Sequence, residues 1–121
     1  MLFDLPQAGG SSLPAVASAS KLGWVYVHDR RDGRLLFRSD AFVPQKNLFA
    51  PPTRAGVVIA PGIAGGANWS PGAFDPASRW LYVPGIHMPT LYQLRDGQGA
   101  DGKPMPYVAS EFGKDLSLIH I

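Results

Sequence analysis

The chain has 121 residues, 45% of them hydrophobic, with fourteen glycines, twelve prolines, no cysteine and a formal net charge of +2. That length suits one modest domain of ordered, globular character. The missing cysteine excludes disulfides, thiolate metal sites and thiol nucleophiles, and with no Lys/Arg run longer than Arg30-Arg31 there is no electrostatic footprint for nucleic acid.

So much glycine and proline cuts helices into pieces and favours short strands joined by turns. The opening "MLFDLPQAGG" has neither the basic start nor the apolar core of a signal peptide. No apolar run reaches the roughly 18 residues of a membrane span. The first predicted element is a strand over 23–29, "GWVYVHD", where Trp24, Tyr26 and His28 alternate with Val25 and Val27. A turn over 29–33 follows, with Asp29 and Asp32 able to bond nearby N–H groups. Residues 34–39, "RLLFRS", then return as the second strand of a hairpin.

Residues 39–56 form a long connection that proline confines to an edge or a surface. The short apolar run 57–62 and the glycine-rich stretch 61–76, "PGIAGGANWSPGAFDP", come next. A second hairpin unit repeats the first, with "GAF" at 72–74, a turn at 75–79 and a strand at 80–85. Asp75 takes the place of Asp29, 46 residues on, near the roughly 40–50-residue period of propeller blades. Residues 95–106 read as a polar loop. The fold class is therefore all-β, in about two antiparallel units. The last six residues, "LSLIHI", match the translation of a sequencing-library transposon adapter. They are expected to stand apart from a domain over 1–115, which removes His120 from the candidate ligands.

Few residues carry chemistry on their own. Asp29 and Asp32 suit turn bracing better than acid–base work. The Gly-Lys pair in "FGKD" lacks the following hydroxyl of a phosphate loop, His28 and His87 have no ligand-spaced companions, and the Asn68-Trp69-Ser70 sequon reads as coincidence. Lys21, just before the first strand, reads as a solvated charge. The glycine-rich stretch is open to two readings: a turn, or a backbone brought close to a ligand beside the amide of Asn68 and the ring of Trp69.

Four segments in order, "SKLGWVYVHDRRDGRLLF" (20–37), "NLFAPPT" (47–53), "PGIAGGANWSPGAFDPASRWLYVPG" (61–85) and "HMPTLYQL" (87–94), resemble the pyrroloquinoline-quinone (PQQ) dependent alcohol and sugar dehydrogenases. Those enzymes are eight-bladed β-propellers, so the resemblance implies about two blades of a truncated PQQ-type propeller. It also implies that Lys21 contacts the ortho-quinone oxygens of PQQ, with Asn68 and Trp69 in the segment that lies near the cofactor. The family's catalytic Asp, and the Glu and Asn that hold its calcium ion, are expected upstream of residue 1. The resemblance therefore implies no catalytic residue and no metal ligand within this chain. The implied protein is periplasmic and oxidises an alcohol, polyol or sugar, passing electrons to a cytochrome or ubiquinone. Val27, Asp32 and Phe37 replace the Ala, Thr and Trp of the family's blade-docking motif, and Arg79 replaces a Gly. Phe37 is expected to fill an inter-blade gap. The alternatives are a non-catalytic propeller scaffold of the outer-membrane assembly type and a small independent β binding domain.

Overall fold

A computed structural model of the protein describes residues 1–112, and within them every regular element is a strand. The adapter-like tail and the Gly-Lys pair of "FGKD" lie outside the described residues. Strands β1 (Leu2–Pro6), β2 (Ser12–Ala19), β3 (Val25–Asp29) and β4 (Leu35–Arg38) form one antiparallel sheet in chain order. Further along come β5 (Val57–Ile59), β6 (Ala73–Asp75), β7 (Trp80–Tyr82), β8 (Thr90–Arg95) and β9 (Tyr107–Phe112). They divide between a three-stranded sheet in the order β5-β8-β9 and the hairpin β6-β7.

The alternation in "WVYVHD" works as the period-2 rule requires. Val25, Val27 and Asp29 are buried, while Trp24, Tyr26 and His28 occupy the other, half-buried face. The hairpin with β4 forms as expected, with Tyr26 opposite Arg38 and Val27 opposite Phe37. A bulge between Val27 and His28 then shifts the register, and the Arg38 guanidinium sits 4.3 Å over the Trp24 ring.

β1, β2, β8 and β9 are strands that the sequence pattern does not announce. In β2 the inward residues are Ala15 and Ala17, too small to mark an apolar face by hydropathy. They are strand residues because long-range pairing holds them, Ala15 opposite Asp29 and Ala17 opposite Val27. Pro14 sits near the start of β2, where one missing ladder donor is tolerable.

The core lies in the seam between the first sheet and the β6-β7 unit. Ala15, Ala17, Val25 and Val27 are buried there, with Phe42, Leu81 and Val83 packed against them. Phe3 of β1 meets Phe74 of β6 with ring centroids 4.7 Å apart. Phe37 is 47% exposed and borders an apolar cleft of about 330 Å³ with Val25, Val27, Phe74 and Leu81.

Candidate functional site

The two Asp-led turns repeat in geometry as well as in sequence. Asp29 Oδ1 accepts the Arg31 N–H at 2.9 Å, and Asp75 Oδ1 accepts the Ala77 N–H at 2.9 Å. Asp29 is only 1% exposed, and its carboxylate is also gripped by Arg31 Nε and Nη2 at 3.0 and 2.7 Å. Side-chain hydrogen bonds from Arg31, then its backbone N–H, hold the Asp29 carboxyl down at about 2. Asp75 is lowered by the Ser78 hydroxyl and the Ala77 N–H. Both carboxylates are spent on their own turns, so neither is free to shuttle a proton.

Lys21 opens the turn between β2 and β3. That turn is closed by Ser20 N to Trp24 O at 2.9 Å and Gly23 N to Ser20 O at 3.0 Å. The Lys21 side chain is exposed, and among the described residues no carboxylate stands within 4.0 Å of its ammonium. Its backbone is the anchor for the glycine-rich loop. Gly66 N donates to Lys21 O at 2.7 Å, and Ile86 N donates to Gly66 O at 2.8 Å, so three segments distant in sequence form one ladder.

The glycines are required by that approach. A Cβ on Gly65 would stand 2.6 Å from the Lys21 Cβ, and Gly65 also holds φ +78. A Cβ on Gly66 would stand 2.6 Å from the Gly23 Cα. The loop is further held by Thr90, fully buried at the start of β8. Its hydroxyl accepts the Ile63 N–H at 3.1 Å and donates to Met88 O at 3.3 Å. Nothing in the local sequence marks Thr90 for that work, since its partner is 27 residues away.

Past the buried Gly65, Gly66 and Ala67 the chain emerges, and Asn68, Trp69 and Ser70 are exposed. Asn68 faces a cleft of about 240 Å³ between the end of β2 and the loop, with Ser18 and Ser70 also in its walls. Lys21 and Trp69 do not line it, and Trp69 is 92% exposed. The structure therefore joins the backbones of the Lys21 turn and the glycine loop. It brings Asn68 together with two serines that sequence reasoning passed over. Among the described residues no three His, Asp or Glu side chains converge as a metal site. Nδ1 of His87, one residue beyond the ladder, is buried with no hydrogen-bond partner among the described residues.

Residues 42–117 match the family model of the PQQ glucose/ethanol/alcohol dehydrogenase β-propeller domain. Asn68 and Trp69 fall inside that stretch and Lys21 precedes it. Among solved structures the chain is similar to a europium-containing methanol dehydrogenase, at 27% identity and a TM-score of 0.67. The match covers 93% of this chain and 22% of the methanol dehydrogenase. No curated protein matches the chain.

Proposed function

The chain belongs to the PQQ glucose/ethanol/alcohol dehydrogenase β-propeller family, and from that membership we propose that it is about two blades of a longer quinoprotein that oxidises an alcohol, polyol or sugar. PQQ, when bound, supplies the ortho-quinone that accepts hydride from the substrate. The observation that carries the reading is Lys21, a cation without a carboxylate partner among the described residues. Its backbone is fixed by Gly66 at 2.7 Å while its side chain stays exposed.

The residues present fit an anionic, flat cofactor. Lys21 would hold the quinone oxygens, because a fixed cation stabilises negative charge as it develops there. Asn68 offers an exposed amide as donor and acceptor, and Trp69 an exposed ring face beside it. The cradle at Gly65 and Gly66 is too tight for any side chain, so the loop's position relative to Lys21 is preset before a ligand arrives.

The described residues do not make a metal centre. Its ligands and the general base belong to the rest of the propeller, whether the ion is calcium or a lanthanide of the kind named for the methanol dehydrogenase. A periplasmic location and a cytochrome or ubiquinone acceptor complete the reading.

The test is the full-length protein supplied with PQQ and either calcium or a lanthanide. Dye-linked oxidation of an alcohol, polyol or sugar is expected, with PQQ retained through gel filtration. Lys21→Ala is expected to lose PQQ or cut turnover at least about 100-fold, and Lys21→Arg to recover most of it. Retained PQQ and full turnover in Lys21→Ala would remove Lys21 from the site.

A further inference from the structure

Val43 lies in the proline-interrupted connection after β4, yet it is only 7% exposed. It stands apart from the Ala15, Ala17, Val25 and Val27 cluster of the core seam, so its burial answers to other neighbours. Those neighbours include the backbones of three glycines. A Cβ on Gly23 would stand 2.6 Å from Val43 Cγ2, one on Gly66 2.9 Å from the same methyl, and one on Gly85 3.2 Å from Cγ1. Gly23 closes the Lys21 turn, Gly66 belongs to the glycine-rich loop, and Gly85 precedes Ile86, the third member of the ladder. All three segments therefore rest on one side chain. Hydrogen bonds tie the surrounding segment to the same turn. Three consecutive carbonyls of the turn each accept a bond from outside it: Lys21 O from Gly66 N at 2.7 Å, Leu22 O from Gln45 Nε2 at 2.7 Å, and Gly23 O from Phe42 N at 2.9 Å. Lys46 and Ala60 exchange both backbone bonds at 2.9 Å, which fastens the other end just before the glycine-rich loop. Residues 42–46 thus strap the turn to the entrance of the loop.

Resting on the proposed quinoprotein reading, we infer that Val43 is a positioning residue for Lys21, with Gln45 as its outer tie. The ammonium ends a flexible four-carbon stem and has no carboxylate partner among the described residues. The placing of the turn beneath it therefore decides where it can reach. A cation stabilises developing charge only from a fixed place, and a misplacement of about 1 Å can cost about 100-fold in rate. Val43 Cγ2 fixes the turn because it packs where Gly23 and Gly66 meet. Removing it leaves a void between turn and loop that packed neighbours close only in part.

The experiment uses the full-length holoenzyme, with Val27→Ala as the control for loss of a buried valine elsewhere. Val43→Ala is expected to lower kcat about tenfold with KM for the alcohol little changed, and Gln45→Ala about threefold. Val27→Ala should lower the melting temperature comparably and leave kcat as it is. In a Lys21→Ala background neither Val43→Ala nor Gln45→Ala should lower kcat further, because both act through the same ammonium. Without PQQ, hydrogen exchange at the Phe42 and Gly66 amides should speed up in Val43→Ala and not in Val27→Ala. An unchanged kcat in Val43→Ala overturns the inference, as does a loss that multiplies with that of Lys21→Ala, or unaltered exchange. If Val43→Ala fails to fold, the Gln45→Ala pairing with Lys21→Ala decides by the same criterion. Full turnover in Lys21→Ala overturns the cofactor reading of Lys21 instead, and hydrogen exchange then decides whether Val43 holds the turn to the loop.

Discussion

Asp29 carries a charge that the fold holds in place. Its carboxyl is held at about 2, below the ordinary 3.8, so the folded chain favours the ionised form. The stabilisation is therefore complete above about pH 4 and is lost as pH falls toward 2. Denaturant titrations between pH 7 and pH 2.5 should show wild-type stability dropping over that window. Asp29→Asn should start lower at pH 7 and show a flatter profile. Arg79 presents the opposite case, a residue at odds with its backbone. It holds φ +61, the left-handed region that costs a non-glycine residue about 1–2 kcal/mol. Arg79→Gly recovers that cost less the extra chain entropy of glycine, so a net gain of about 0.5–1 kcal/mol is expected in thermal or chemical denaturation. The pattern of the sequence marks Asp29 as a turn brace, and the family resemblance marks Arg79 as a departure from glycine. What the pattern does not give is the burial of Asp29, which lies opposite Ala15 of β2 and is 1% exposed.

Elements were legible in proportion to how far their side chains contrast. β3 announces itself because Val25 and Val27 alternate with Trp24, Tyr26 and His28, and β6-β7 because a turn marked by Asp75 separates two short apolar runs. β2 and β9 offer no such contrast. "SLPAVASA" buries alanines, and "YVASEF" places its polar residues in a ladder with β8 that only the distant pairing reveals. The candidate site shows the same limit. The glycine-rich loop stands out locally and Lys21 only through the family resemblance, while the bond from Gly66 to Lys21 is a tertiary fact, as is the Thr90 hydroxyl that ties the loop to β8. Thr90→Val tests that tie. It keeps the shape and removes the acceptor, leaving the Ile63 N–H unpaired in a half-buried place, at a cost of about 1–3 kcal/mol. Hydrogen exchange should show faster opening of residues 62–67 in the variant, with the β1–β4 sheet little changed. Uniform loosening of both regions would mean that Thr90 supports the core rather than the loop.

At the scale of the whole molecule, the chain leaves strand edges and apolar faces uncovered among the described residues. It spans 22% of the methanol dehydrogenase it resembles in structure. Among the described residues the β1–β4 sheet ends on strands paired on one side only, as does the β5-β8-β9 sheet, and bare strand edges recruit other chains. Trp80 and Tyr82 lie exposed on β7, and Phe37 borders an open apolar cleft where a neighbouring blade could pack. In a ring, each blade buries such faces against the next, so stability is shared across interfaces and a pair of blades keeps only the interface between them. The polypeptide expressed alone should therefore self-associate. Light scattering is expected to give a mass that climbs with concentration, and bis-ANS fluorescence to show accessible apolar surface. Given PQQ and calcium it should oxidise no alcohol, because the described residues provide neither a metal site nor a free carboxylate base beside Lys21. A monodisperse, folded monomer that turned over alcohols would show instead that two blades carry a complete site.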